Sequence, residues 1–227
     1  MFAQQQAFNG DRLDRCFEAN GVNPEPFRPV RPTFSKGAEM PTILSHPAIP
    51  LAVGVGLGSK VISRPLLFAG IALSVLPDFD VIAFRLGIPY SAEFGHRGFS
   101  HSLPLAAVVA LLGALALRKV NTPVRMSAWF LFLSMASHGI LDAFTTGGKG
   151  IAMLWPFSEQ RFFSPFQVIE VSPLSLARFL SSRGVTVLIS ELQWVWLPSI
   201  CLALVLITIR LARRPSPPLN PDPAASG

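Results

Sequence analysis

Residues 126–142 read MSAWFLFLSMASHGILD, from Met126 to Asp142. The run holds no Asp, Glu, Lys or Arg before its last residue, yet it closes on His138 and Asp142. An apolar stretch of this length is helical in a protein core or a bilayer. Residues four apart lie on one helix face, so the closing imidazole and carboxylate point the same way. One stretch thus predicts both a buried helix and a polar site at its end.

The same texture recurs along the chain. His46–Ser59, Pro65–Pro77, Ser102–Leu117, Met126–Leu141 and Leu192–Ile209 are all apolar blocks without a charged residue. Composition agrees: of 227 residues, 14% are charged, 50% are hydrophobic and 18 are Phe. The mean hydropathy is +0.46. An ordinary soluble domain carries about 25% charge, so disordered, fibrous and polar-tail classes are excluded. The fold class expected is all-α, an integral-membrane bundle of about four to five hydrophobic helices. Most blocks fall short of the roughly 20 residues that span a bilayer comfortably. The first two are short enough to be core or re-entrant helices.

Outside the blocks, residues 1–39 have Gln4–Gln6 and four prolines between Pro24 and Pro32 without an apolar period. They read as a disordered extension, with Met40 an alternative start. The domain is expected over 40–212, with a disordered proline-rich tail over 213–227. The two cysteines, Cys16 and Cys201, lie far apart in unlike contexts, which leaves neither a disulfide framework nor a cysteine zinc site.

The net charge of +6 reflects topology rather than nucleic-acid binding, because no dense basic run interleaved with aromatics is present. Lys60 and Arg64 join blocks one and two. Arg118, Lys119 and Arg125 join blocks three and four, and Arg210, Arg213 and Arg214 follow block five. Cytoplasmic flanks are enriched in Lys and Arg. An alternating path therefore puts the connections 78–101 and 142–191 on the outer, periplasmic face.

All four histidines fall at or near the outer ends of blocks, and three aspartates join them. Asp78 and Asp80 follow block two and read as alternating positions of an extended loop. His96 and His101 flank Arg97-Gly98-Phe99-Ser100, where a loop-to-helix turn through Gly98 can bring both to one point. His46 opens block one. His46, Asp78, Asp80, His96, His101, His138 and Asp142 are the candidate metal ligands, since neutral imidazole and carboxylate are common zinc donors. Asp80 is the candidate non-ligating base, and Arg97 the candidate support for a developing oxyanion. Alone, each piece has a plain structural reading, such as an Asx-turn or an interhelical hydrogen bond. Convergence of four segments on one face favours metal.

Met40-Pro41-Thr42 with His46, Leu76-Pro77-Asp78-Phe79-Asp80, His96-Arg97-Gly98-Phe99-Ser100-His101-Ser102, Ser137-His138-Gly139-Ile140-Leu141-Asp142 and Trp155-Pro156-Phe157 also carry a family likeness. Over about residues 40–210 the chain resembles the YdjM-type bacterial inner-membrane metal-dependent hydrolase family. A looser similarity, in the order of ligands only, is to the all-helical zinc phospholipases C. The resemblance implies a multi-span inner-membrane protein with metal-dependent hydrolase chemistry.

The expectation is therefore one or two divalent ions, zinc first, that generate hydroxide from water. The expected partners are membrane lipid and a lipid-like ester or phosphoester substrate, with no nucleic acid. The alternatives are a metal or ion carrier, which usually sets its ionisable groups at the bilayer midplane, and a scaffold with a structural metal. The aromatic, proline-broken connection 143–184 reads as an interfacial segment. Glu159 and Glu170 within it are further acids whose spacing assigns them no role.

Overall fold

The computed structural model describes residues 39–40, 42–119, 122–173 and 176–213. The extension before Glu39 and the tail after Arg213 lie outside the described residues. Glu39–Met40 (β1) pairs antiparallel with Ser172–Pro173 (β2). The remaining elements are helices: α1 (Ala48–Leu57), α2 (Arg64–Val75), α3 (Ile82–Arg85), α4 (Leu103–Ala116), α5 (Val124–Ala143), α6 (Leu176–Phe179), α7 (Ser182–Glu191) and α8 (Leu197–Ala212).

Local chemistry sets the helix starts. Ser63 is extended before α2, and Pro65 follows in its first turn, where a missing N–H costs nothing. Ser102 caps α4 by accepting from Leu105 N at 3.3 Å, with Pro104 behind it. α1 stops at Gly58, which has φ +80.

Two spans are longer than their apolar blocks. α2 continues through a 3-10 turn, Leu76–Val81, into α3, so Arg64–Arg85 forms 22 residues of apolar helix. α7 runs through a π turn, Leu192–Trp196, into α8, giving 31 residues over Ser182–Ala212. With the 20 residues of α5, three helices among the described residues are long and apolar enough to cross a membrane. The second block therefore belongs to a helix long enough to cross a membrane rather than to a short core helix. Pro77 sits in the first turn of the 3-10 segment, where the ladder changes from α to 3-10, and the Ser74 carbonyl three residues before it accepts from His138 instead; apolar Val81–Phe84 continues the helix beyond it.

Packing uses small residues where helices approach. Ala106, Ala110 and Ala114 form one buried stripe of α4, which packs mainly on α5. The core combines Ile62 and Leu66 with Ala110, Ala114, Phe130 and Leu131. Outward faces are apolar as well: Phe68, Leu112 and Leu204 are all exposed. A soluble monomer rarely shows so much exposed hydrocarbon, whereas a bilayer covers it.

The contacts also give direction. Ser74 of α2 meets His138 of α5, and a Cβ at Gly70 would touch Phe130, so α2 and α5 run parallel. The His101 carbonyl lies against Gly139, so α4 runs antiparallel to α5. At the other end, Arg210 Nη1 donates to Val55 O at 3.0 Å, tying the end of α8 to the end of α1. The start of α1, the end of α2, the start of α4 and the end of α5 therefore share one end of the bundle. Lys60, Arg64, Arg118, Lys119, Arg125 and Arg210 belong to the helix ends and turns at the other.

Candidate metal centre

The shared end gathers the acids and histidines. Asp78, His101, His138 and Asp142 each offer a ligand atom within 4.8 Å of the others, and all four are buried. His46, fully buried, joins them: its Nε2 lies 3.6 Å from Asp78 Oδ2 and 3.9 Å from Asp142 Oδ1. His101 Nε2 stands 3.0 Å from His138 Nε2 and 3.1 Å from Asp142 Oδ2, and His138 Nε2 stands 3.4 Å from Asp78 Oδ1. Donors about 2.0–2.1 Å from a common zinc in tetrahedral array are about 3.3 Å apart. The observed separations bracket that value.

Second contacts fix which nitrogen faces inward. His138 Nδ1–H donates to the Ser74 carbonyl at 2.7 Å, leaving Nε2 toward the cluster. His101 Nδ1–H donates to Ser100 Oγ at 2.9 Å, and Ser100 donates to Asp80 Oδ2 at 2.5 Å. Both rings are held by the arrangement that orients histidine ligands in metal sites. Among the described residues, neither ring nitrogen of His46 has a hydrogen-bond partner, nor does either oxygen of Asp78. Buried polar atoms without partners are costly, and a cation among them would satisfy several at once.

Charge gives the same answer. Asp78, Asp80 and Asp142 have side chains no more than 4% exposed, and among the described residues Arg97 is the one Lys or Arg side chain in ion-pair contact with them. With neutral imidazoles, two negative charges remain unmatched, the charge of one divalent ion. Burial, reinforced by neighbouring His138, pushes the His46 pKa down to about 3, so this ring is neutral and free to ligate. Burial also lowers His101, but the Asp142 and Asp80 carboxylates outweigh it and raise the pKa to about 9. The carboxylates thus already favour a positive charge at that point. The donor set fits a divalent ion.

Asp80 and His96 form a neighbouring pair outside the group of four. Asp80 accepts from His96 Nδ1 at 2.5 Å, Arg97 N–H at 3.0 Å and Ser100, and lies 3.3 Å from His101 Nδ1. Asp78 and Asp80 are not in an extended loop, as the sequence suggests, but in the 3-10 turn. There, side chains two residues apart point about 120° away from each other, so Asp78 faces His46 and His138 while Asp80 faces His96 and His101. The turn expected at Gly98 is present and leads into a 3-10 helix, Phe99–His101.

Arg97 is fully buried. Its Nε contacts Asp142 Oδ2 at 3.0 Å, and its Nη1 donates to Thr145 Oγ1 and the Gly147 carbonyl. Nη2 makes no hydrogen bond. The backbone of Arg97 is left-handed, at φ +60, a conformation costing about 1–2 kcal/mol outside glycine. It is held from both sides: the N–H binds Asp80, and the carbonyl accepts from Ala152 N and Arg161. Gly139 permits the close approach of the His101 segment to α5, since a Cβ there would stand 2.8 Å from the His101 carbonyl.

Several supporting residues escape sequence reasoning. Arg161 donates to the carbonyls of Tyr90, Ala92, His96, Arg97 and Gly150, pinning the loop before His101. Glu191, buried at the end of α7, accepts from Thr42 N–H at 2.7 Å and Thr42 Oγ1 at 2.6 Å, anchoring the segment that bears His46. Neither has a local pattern; an acid closing an otherwise apolar span was the one available signal for Glu191. Glu170 instead pairs with Arg183 at 2.8 Å on the surface, and Glu159 is exposed. The connection after α5 folds back over the site, with Ala152 N on the Arg97 carbonyl and Leu103 N on that of Met153.

Membrane-crossing helices converging on a buried histidine–aspartate cluster that can hold a metal ion define a class of helical integral-membrane protein. The chain belongs to the YdjM inner membrane protein family, whose model matches residues 40–215. It is 52% identical over 164 residues, 72% of this chain and 95% of the relative, to "Inner membrane protein YbcI" of Escherichia coli (strain K12). No solved structure matches the chain.

Proposed function

We propose that this inner-membrane protein is a metal-dependent hydrolase acting on a lipid or lipid-linked ester or phosphoester. The observation that carries the reading is the gathering of buried nitrogen and carboxylate donors from four chain segments around one point. Asp78, His101, His138 and Asp142, with His46 beside them, would hold one divalent ion, zinc by the chemistry of the donor set. Such an ion supplies Lewis acidity and brings the pKa of a water it binds to about 7.

The chain's own groups support that chemistry. Asp80 and Ser100 hold His101 in the ligating tautomer. Arg97 positions Asp142 through Nε, and its Nη2 is the donor left for a phosphate or carboxylate oxygen. Asp80, whose lone pairs face four donors, suits an orienting role better than that of a base. More donors than a closed four-coordinate site needs, and their position at helix ends, favour an enzyme over a scaffold or carrier.

The distribution of basic residues supports a periplasmic site. Each juxtamembrane Lys or Arg adds about 1 kcal/mol near an anionic leaflet, and these residues flank the end away from the cluster.

Metal analysis of the purified protein, followed by an ester and phosphoester panel with and without chelator, tests the proposal. The expected result is near-stoichiometric divalent metal and chelator-sensitive turnover. Metal-free protein that takes up no zinc would overturn it.

A further inference from the structure

The bundle carries a groove of about 420 Å³ between the α2–α3 span and α4, floored by Met135. Leu76, Phe79, Leu86 and Phe94 form its outer rim, and all are exposed. Its wall continues through Ala83 and Val109, and its only polar side chains are Asp80 and Ser100. A groove of 330 Å³ beside Ile140, Phe144 and Trp194 has no polar lining residue. The first groove is thus an apolar channel ending on the two groups that orient His101.

The geometry points to this groove as the seat of one acyl chain of a membrane glycerolipid, with the lipid's polar end at Asp80 and Ser100. Three features of the groove select that occupant. Leu76 and Phe79 of the rim lie on a helix long and apolar enough to cross a membrane, so hydrocarbon is the medium that meets that side of the groove. The walls offer no hydrogen-bonding group along their length, so they discriminate in favour of an unbranched apolar chain over a peptide, whose backbone would go unsatisfied. Polarity appears only at the inner end, where Asp80 and Ser100 stand one imidazole away from the ligand cluster. The inference deepens the hydrolase reading and rests on it for its chemistry: it names a glycerolipid as the substrate class and assigns the residues that would hold its chain.

The test is photo-crosslinking of the full chain in phosphatidylcholine nanodiscs, using a small fraction of phosphatidylglycerol that carries a diazirine on one acyl chain. Labelled residues are located by mass spectrometry. Labelling is expected to concentrate on Phe79, Ala83 and Val109 and to exceed labelling at exposed Leu204 on α8. Val109→Trp fills the channel. With the channel filled, groove labelling at subsaturating lipid is expected to fall to the level seen at Leu204. Leu86→Asp, at a position 70% exposed, places a carboxylate at the mouth without touching the core and is expected to lower labelling in the same direction. Groove labelling no stronger than at Leu204, or unchanged in both variants, overturns the proposal. Metal analysis of the same samples separates the two readings. Focused labelling on a protein that binds no metal keeps the chain site and sinks the hydrolase, whereas diffuse labelling on metal-loaded protein does the reverse.

Discussion

Replacing Asp80 with Asn changes one oxygen into an amide and removes the charge while keeping the shape. In the native site the carboxylate accepts from His96, the Arg97 N–H and Ser100, and faces His101 Nδ1 at 3.3 Å. The amide has a single oxygen. If that oxygen keeps the Oδ2 position, the new NH2 confronts His96 Nδ1. If it takes the Oδ1 position, Ser100 and the Arg97 N–H lose their acceptor. Either way one charge-assisted bond is lost, worth about 1.5–3 kcal/mol. That agrees with the ten- to hundred-fold loss of metal affinity seen when outer-sphere partners of ligating histidines are removed, about 1.4–2.7 kcal/mol.

The assay is zinc titration of purified Asp80→Asn against a competing chelator dye at neutral pH. The expected outcome is a Kd raised ten- to hundred-fold with the same stoichiometry. A Kd within about two-fold of wild type, with turnover abolished, would refute the orienting role and return Asp80 to the part of a base.

Other outcomes follow from the same geometry. His138→Ala and Asp142→Ala should each lower bound metal without preventing membrane insertion, as read by metal analysis of membrane-extracted protein; full stoichiometry in both would place the site elsewhere. Asp142→Ala should also be the less stable of the two, by about 3–5 kcal/mol relative to wild type, because it strands the buried Arg97 guanidinium. Glu191→Ala should cost about 1–3 kcal/mol in thermal unfolding by leaving Thr42 unpaired, with Glu191→Gln recovering part of the loss. In a background lacking Cys16 and Cys201, a cysteine at Ser91 should react with a membrane-impermeant thiol reagent in whole cells and one at Asn121 should not; the reverse pattern would put the site in the cytoplasm. Deletion of residues 1–39 should leave expression and metal content intact, measured on the purified truncation.

The helical membrane class was legible because it rests on composition and on runs such as Met126–Leu141, which need no knowledge of partners. His138 and Asp142 were legible for a related reason, since their spacing is a property of one helix. The conformation of Asp78 and Asp80 was not. Pro77 looks like a stop, but it falls at the first turn of a 3-10 segment, and the apolar residues after it carry the helix on to Arg85. What separates His96 and Asp80 from the four clustered donors is likewise tertiary: ring orientations are set by Ser74, Ser100 and Asp80 across 64, 1 and 21 residues of chain. Arg161 and Glu191 act by reaching distant backbone, and no periodicity announces such a reach.

The bond between Glu191 and Thr42 spans 149 positions of sequence, and this has a bearing on biogenesis. A chain made from its N-terminus delivers His46 first, yet the segment carrying it acquires its anchor only after α7 emerges. Asp78, His101, His138 and Asp142 are all synthesised before that point. The earliest histidine of the site is thus the last to be fastened, and α8, settling along α1, closes the assembly. A ribosome halted before residue 191 would hold four of the donors in place and leave the fifth untethered.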